Sequence, residues 1–286
     1  MEEKPVDLYN KYIDGLLGRR EFITRLAVIA GGTAAAYSLM ISLGNNYARA
    51  EMISKNDNRI ESSYVNFKGA SGDINANLVL PKGDKKAPGV VVIHEIWGLN
   101  PHIEDVARRF AVEGFMSIAP DALSALGGTP KDPQKAFPMM RQLDNDKTVK
   151  DYIAAAKYLQ KHERSNGNVG VVGFCWGGSM TNHVAVNWPD LKAAAPFYGG
   201  QPDSKDVPKI KASMILHYAG NDERVNQGIP AFEEALKKAS IDYRIYMYEG
   251  AEHAFHNDTN ESRYNREAAR LAWKRTIEFF REKLFP

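Results

Sequence analysis

The sequence predicts an α/β fold in which helices cover both faces of a mostly parallel sheet. Short β-rich runs alternate with amphipathic stretches from Ser62 onward, a pattern typical of parallel strands joined by crossover helices. Residues 89–94 form a continuous apolar run rich in β-branched side chains, as expected of a central strand buried on both faces. The composition, 44% hydrophobic and 25% charged over 286 residues, is that of an ordinary globular protein.

The individual elements follow from the same patterns. Strands are predicted at residues 63–67, 75–80, 89–94, 115–119, 169–174, 193–198, 213–218 and 243–248. Helices are predicted at residues 102–113, 146–161, 179–187, 229–240 and 265–284. Only residues 69–73 separate the first two strands, so they should form an antiparallel hairpin at one edge. Residues 125–146 lack periodicity and contain several glycines and prolines, which is typical of a lid or pocket rim.

Charge and cysteine content exclude several classes of function. The 37 basic and 35 acidic residues leave a net charge of +2 without a run of like charge, which argues against nucleic-acid binding. A single cysteine excludes an intramolecular disulfide and a multi-cysteine metal site. No phosphate-binding glycine loop or metal-ligand spacing is present, so neither a cofactor nor a metal is expected. A monomer that acts on a small molecule fits these features.

The first fifty residues resemble a twin-arginine export signal. Arg19 and Arg20 precede an apolar, Gly- and Ala-rich stretch at residues 26–43, and Ala48-Arg49-Ala50 is a small-x-small cleavage site. The expected mature domain spans residues 51–286 and is periplasmic or secreted. If the signal is not removed, the stretch of about eighteen apolar residues could act as a membrane anchor. A buried helix is disfavoured by Gly31-Gly32 and by the absence of a polar face.

The strand at residues 169–174 runs into Gly173-Phe-Cys-Trp-Gly-Gly178 and then into a helix. This is the Gly-x-nucleophile-x-Gly elbow of the α/β-hydrolase fold, with cysteine in the place of serine. Glycines on either side relieve crowding at the strained turn. The N-terminus of the following helix favours a thiolate and a developing oxyanion. An unpaired cysteine is usually an inert buried side chain, but at the centre of this elbow Cys175 is the candidate nucleophile.

A thiol needs a base at neutral pH, and the candidate is His253. This histidine follows the last predicted strand, where a loop residue can reach the carboxyl edge of the sheet. His256 is the main competitor. Asp222 follows the strand at residues 213–218 and would orient the imidazole. The chain order Cys175, Asp222, His253 matches the nucleophile, acid and base order of this fold.

These motifs resemble those of the dienelactone hydrolase family, also called carboxymethylenebutenolidases. The resemblance extends from about Ile60 to the C-terminus. It is carried by residues 94–100 (His-Glu-Ile-Trp-Gly-Leu-Asn), the cysteine elbow, residues 220–222 (Gly-Asn-Asp) and residues 250–253 (Gly-Ala-Glu-His). It implies hydrolysis of an ester or lactone through an acyl-enzyme, with an oxyanion hole formed by the backbone N–H groups of Ile96 and Trp176. It also implies that Glu95 pairs with the neutral thiol in the resting enzyme.

The resemblance leaves the substrate open. The family binds the substrate carboxylate through arginines, one of them four residues after the catalytic histidine, and here that position is Asn257. The candidate substrate contacts are Trp97, Arg141 and Asn257, with Lys135 as a further source of charge. The same triad could cleave thioesters or peptides, which pocket size would discriminate. A binding protein without turnover would have a triad out of hydrogen-bond reach or an unreactive thiol.

Overall fold

The computed structural model describes residues 5–13, 17–43 and 51–286. Its centre is an eight-stranded sheet in the order β1-β2-β4-β3-β5-β6-β7-β8. The first two strands and the β2–β4 pair are antiparallel, and the remaining pairs are parallel. The predicted mostly parallel sheet with a hairpin at one edge is therefore confirmed. The strands are β1 (Ile60–Lys68), β2 (Asp73–Pro81), β3 (Ala87–Ile93), β4 (Met116–Pro120), β5 (Ser165–Phe174), β6 (Ala193–Phe197), β7 (Ser213–Ala219) and β8 (Tyr243–Tyr248).

Helices cover both faces of this sheet, as predicted. One core layer packs α6, α7 and α9 against the sheet, and the other packs α4 and α10 against the opposite face. The chain contains α1 (Pro5–Ile13), α2 (Arg19–Ala30), α3 (Thr33–Leu43), α4 (Pro101–Val112), α5 (Pro133–Met140), α6 (Asn145–Lys161), α7 (Trp176–Asn187), α8 (Glu223–Asn226), α9 (Ile229–Lys238) and α10 (Arg266–Leu284).

The central strand β3 accounts for the continuous apolar run at residues 89–94. Every residue of β3 is buried, because both faces of the strand are covered by helices. Gly89 lets α6 approach closely, since a Cβ atom there would lie 2.9 Å from Cβ of Leu159. A larger residue at position 89 would have to displace the helix.

The segment at residues 125–146, predicted to be a lid or rim without regular structure, contains the short helix α5. Asp132 caps its N-terminus by accepting a hydrogen bond from the backbone N–H of Gln134, and Pro133 occupies the first turn, where proline is tolerated. Ala136 and Met140 bury its inner face in a small apolar cluster. Pro138 within the helix is why the sequence did not indicate one.

The N-terminal helices pack on one another and touch helix α5. Gly31, with φ of 77°, ends α2 and separates it from α3, so the apolar stretch forms two helices rather than one. Phe22 stacks on Tyr12, and Tyr12 also makes an edge contact with Phe137 of α5. Gln134 of α5 lies against the sulfur of Met40.

The same helices contain the apolar stretch that could act as a membrane anchor. Within the described ranges no single helix is long and apolar enough to cross a bilayer, and α2 and α3 reach that length only as a pair bent by 106°. The predicted cleavage site at residues 48–50 lies outside the described residues, as does the side chain of Arg19.

Candidate active site

The cysteine elbow has the strained geometry that its glycines indicate. Cys175 links β5 to α7 with φ of 57° and ψ of −117°, a conformation that residues other than glycine rarely adopt. A Cβ atom on Gly177 would lie 2.5 Å from the carbonyl oxygens of both Ile93 and His94, and one on Gly173 would lie 2.1 Å from that of Gly177. The turn can therefore press against the end of β3 only because both positions are glycine.

Cys175 opens onto a cavity of about 350 Å³ at the carboxyl edge of the sheet. His253, Ile96 and Trp176 line the same cavity. Trp176 is the first residue of α7, where backbone N–H groups have no acceptor within the helix. The two residues predicted to supply an oxyanion hole therefore lie at the wall of the cavity that contains the thiol.

His253 is bonded to Asp222, its predicted partner. The distance from Nδ1 of His253 to Oδ2 of Asp222 is 2.5 Å, and both side chains are buried. Burial alone would raise the pKa of Asp222, but the hydrogen bond and charge of His253, the charge of Arg224 and the hydrogen bond from Val225 together lower it. Asp222 also accepts a hydrogen bond from the backbone N–H of Val225 and so caps α8. The carboxylate is fixed from two sides and keeps the imidazole proton on Nδ1.

The other ring nitrogen of His253 faces the thiol of Cys175. Burial lowers the pKa of His253, but the negative charge of Cys175 and the hydrogen bond to Asp222 together raise it to about 10. Nε2 is buried and has no partner of good hydrogen-bond geometry among the described residues. Catalytic hydrogen bonds are often long or poorly aligned in the free enzyme. The ring can therefore take a proton from the thiol after a small adjustment.

Glu95 is held by Asn257, the residue at the position where the family has an arginine. The side-chain N–H of Asn257 donates to Oε2 of Glu95 at 2.6 Å, and Oδ1 of Asn257 accepts hydrogen bonds from the backbone and hydroxyl of Thr259. The sequence suggested that Asn257 contacts the substrate. Asn257 is only 1% exposed, however, and it fixes Glu95 instead of facing the cavity. Oε1 of Glu95 is buried, and the carboxylate also faces the hydroxyl of Tyr198.

His94 supports the start of the loop that carries Glu95 and Ile96. Its Nδ1 lies 2.6 Å from the carbonyl oxygen of Glu95, and its Nε2 accepts the backbone N–H of Ala122. Because Nε2 is an acceptor, Nδ1 carries the proton and donates it to that carbonyl. His94 thus sets the direction of the backbone at the edge of the cavity.

Two arginines line the cavity, one predicted and one not. Arg141 follows α5 and stacks over Phe137, while Arg224 lies on the short helix α8 beside the triad carboxylate. Arg224 carried no sequence signal beyond its closeness to Asp222. Of the other candidates, Lys135 is exposed and Trp97 is half-buried, and neither lines this cavity.

Tyr198 is a further residue of the cavity that sequence reasoning missed. It follows β6 with φ of 38°, its hydroxyl is buried and faces the Glu95 carboxylate, and its ring contacts His253 edge to face. Burial and the charges of Glu95 and Cys175 raise the pKa of Tyr198 well above its usual value. Its phenol is therefore a neutral hydrogen-bond donor beside the thiol.

His256, the alternative base, lies elsewhere. Its ring stacks on Phe174 at 5.0 Å between centroids, and it lines a second cavity behind the catalytic loop. His217 is a core residue: its ring nitrogens lie 2.9 Å from the hydroxyls of Tyr248 and Thr276.

Buried His217 should make the fold sensitive to acid. Burial and the charge of Arg275 lower the pKa of His217 to about 3, whereas an unfolded histidine titrates near 6.5. Between these values the unfolded chain binds more protons, so stability falls with decreasing pH by up to about 1.4 kcal/mol per unit. Urea unfolding of wild type and His217→Gln at pH 7, 5.5 and 4.5 should show the variant less stable at pH 7 and the gap narrowing with acidity. A gap that is constant over this range would contradict the prediction.

Comparisons with known proteins agree with this fold. The sequence model of the dienelactone hydrolase family matches residues 74–284. A predicted carboxymethylenebutenolidase of Saccharolobus solfataricus is 34% identical over 248 residues, which cover 73% of this chain and 93% of that protein. The corresponding Escherichia coli K12 protein is 29% identical over 79% of this chain and 89% of its own.

Solved structures show the same likeness. The crystal structure of a predicted dienelactone hydrolase from Klebsiella pneumoniae has a TM-score of 0.71 and 27% identity, covering 78% of this chain and 99% of that one. A dienelactone hydrolase-like promiscuous phosphotriesterase from metagenomic libraries has a TM-score of 0.70 and 22% identity, covering 79% and 99%, which supports the fold alone. With the family model matched across the catalytic domain and a relative at 34% identity, the chain belongs to the dienelactone hydrolase family, a family of hydrolases with the α/β-hydrolase fold.

Proposed function

We propose that the protein hydrolyses small esters or lactones that carry a negative charge, using Cys175 as the nucleophile. The observation that carries this proposal is the placement of Cys175 and His253 at one cavity, with His253 bonded to Asp222. A thiol at the N-terminus of a helix and beside a histidine is the arrangement that activates cysteine for acyl transfer.

The reaction follows from the positions of these groups. His253 takes the thiol proton on Nε2, and the thiolate attacks the carbonyl carbon. The oxyanion of the tetrahedral intermediate is accepted by the N–H groups of Ile96 and Trp176. His253 then protonates the leaving oxygen, which leaves a thioester on Cys175. Water activated by His253 adds to that thioester, and collapse of the second intermediate releases the acid and restores the thiol.

Glu95 would hold the thiol before substrate binds, as the family resemblance implies. Oε2 is fixed by Asn257, and the carboxylate also faces the hydroxyl of Tyr198. A carboxylate has about four acceptor sites, and burial makes each unfilled one costly, so the thiol proton is a favourable further partner. A substrate that displaces this contact leaves the thiolate to be stabilised by His253.

The size of the cavity favours a small substrate. About 350 Å³ accommodates a small ester or lactone and lies at the lower end of ligand pockets. A peptidase would need an open groove for the residues on either side of the cleaved bond. The bond between His253 and Asp222 also supports turnover over the alternative of an inactive binding protein.

Arg141 and Arg224 should give the enzyme its preference for anions. Charge-assisted hydrogen bonds contribute about 1.5–3 kcal/mol each, so Arg141→Gln or Arg224→Gln should lower kcat/KM for 4-nitrophenyl hydrogen succinate by about 10- to 100-fold. The neutral ester 4-nitrophenyl butyrate should change by less than about threefold, since it lacks the charge that the arginines bind. Steady-state kinetics with both esters measure the effect.

Lys135→Gln is the matched control for this prediction. Lys135 is a cation on α5 that does not line the cavity, so this variant should behave like wild type with both esters. An equal loss for the charged and the neutral ester in the arginine variants would show that these residues do not select for substrate charge.

We also propose that residues 1–50 direct the folded protein through the twin-arginine pathway and are removed before Glu51. The support is the sequence: Arg19 and Arg20 precede the apolar stretch, and Ala48-Arg49-Ala50 follows it. In a bacterial host, a double Arg19→Lys, Arg20→Lys variant should accumulate inside the cell. Wild type should reach the periplasm, and its mature N-terminus should begin at Glu51.

Arg25→Lys is the control for the export experiment, because it changes an arginine on the same helix outside the pair. Export of the double variant at wild-type levels would refute the proposed pathway. If the exported protein keeps its N-terminus and remains bound to the membrane, residues 1–50 act as a membrane anchor instead of a cleaved signal.

A further inference from the structure

A second cavity of about 310 Å³ lies between α4 and α10, behind the loop that carries His253. It shares no lining residue with the catalytic cavity. Its walls are largely apolar and include the rings of Tyr264 and Trp273. Ile53 closes one side, held by hydrogen bonds from its N–H to Asp105 and from Arg108 to its carbonyl oxygen. The cavity is thus a half-open cleft with aromatic walls.

Among the described residues, some of the charged groups around this cavity form ion pairs and others do not. Arg109 bonds to Asp105 and Asp258, and Glu113 pairs with Arg281 at 2.7 Å. Arg266 and Arg270 also line the cavity, one turn apart on α10. Neither forms an ion pair within the described part of the chain.

Arg266 and Arg270 are four residues apart on the helix, and like charges at this spacing repel each other. An anion between Arg266 and Arg270 would remove that repulsion and could bond to both guanidinium groups.

A buried polar group completes the wall. His256 is 3% exposed, and its Nδ1 has no hydrogen-bond partner among the described residues. Burial and the charge of Arg109 hold the pKa of His256 well below its usual value, so the ring is neutral and offers one donor and one acceptor. Its faces are covered by Phe174 and Trp273. A buried ring nitrogen without a partner in a cavity wall is a place where a ligand can form a hydrogen bond.

We propose that this second cavity binds a small amphipathic carboxylate, with its apolar body against Tyr264 and Trp273 and its carboxylate at Arg266 and Arg270. The volume suits an aryl or short-chain acid, and the planar guanidinium groups match a carboxylate. The proposal does not depend on the catalytic one, because no residue of the triad takes part.

The test is isothermal titration of the full chain with 4-phenylbutyrate and with its neutral analogue 4-phenylbutanamide. The carboxylate should bind to one site at least tenfold more tightly than the amide. The Arg266→Gln, Arg270→Gln double variant should lose at least tenfold in affinity for the carboxylate. Both arginines are exposed, so the fold should survive, and circular dichroism checks that it does.

Two controls locate the site. Lys274→Gln removes a cation from the next turn of α10, outside the cavity, and should bind the carboxylate as wild type does. Arg141→Gln, Arg224→Gln removes the cations of the catalytic cavity and should also retain this binding. The proposal is overturned if the amide binds as tightly as the acid, if Arg266→Gln, Arg270→Gln binds normally, if only the catalytic-cavity variant loses binding, or if no binding occurs at millimolar probe.

Discussion

Cys175→Ala should lower the turnover of 4-nitrophenyl hydrogen succinate by about 10⁴-fold or more. The thiol is the group that forms the covalent bond, and loss of a nucleophile leaves only the contribution of the oxyanion donors and of substrate binding. Because Cys175 lies in a strained turn set by backbone contacts of its flanking glycines, alanine should preserve the fold. Initial rates at saturating substrate, with the uncatalysed rate subtracted, measure the effect.

Ser179→Ala is the matched control, since Ser179 lines the same cavity with a hydroxyl that the mechanism does not use. It should retain activity within a few-fold of wild type. Wild type should also lose activity on reaction of one thiol with iodoacetamide, and the sequence contains no other cysteine. Turnover by Cys175→Ala close to that of wild type would refute the cysteine mechanism and would favour a different nucleophile.

Asp222→Asn should lower kcat by about 10³- to 10⁴-fold. An amide at this position can donate a hydrogen bond to Nδ1, which would place the histidine proton on Nε2 and leave no base facing the thiol. The variant also removes the hydrogen bond to the carboxylate that helps raise the pKa of His253. KM should change little, because Asp222 does not line the substrate cavity. A loss confined to KM would contradict this role.

Asp203→Asn tests whether any loss of carboxylate has such an effect. Asp203 is exposed and pairs only with Lys205 among the described residues, so its variant should match wild type in kcat. The pH profile supplies a second readout. If Asp222 acts through His253, then Asp222→Asn should shift the basic and acidic limbs of the kcat profile, which simple local destabilisation would not do.

Most of the fold could be predicted because its signals are local. Each predicted strand has a counterpart in the sheet, and the elbow at Cys175 was recognised from a run of six residues. Apolar periodicity reports which faces are buried, and a glycine at a strained turn reports a backbone requirement. Helix α5 was missed because Pro138 lies inside it and because its cap and apolar contacts, rather than periodicity, stabilise it.

The site was predicted in part. His253 and Asp222 were paired from chain order and from their positions after two predicted strands, and the structure brings them into contact across 31 positions. Asn257 shows the limit of this reasoning: its position suggested a substrate contact, but its amide bonds to Glu95, 162 positions away. Tyr198 and Arg224 had no clear sequence signal, since a lone tyrosine or arginine just after a strand is ordinary.

The sequence by itself determined the elements, their parallel arrangement, the strained cysteine turn and the residue types for acyl transfer, because these depend on local patterns of burial and backbone conformation. Only the tertiary structure decided which groups meet. It placed Arg141 and Arg224 at one cavity and Arg266 and Arg270 at another. Such groupings depend on the packing of helices onto opposite faces of the sheet, and packing joins residues whose distance along the chain carries no information about their contact.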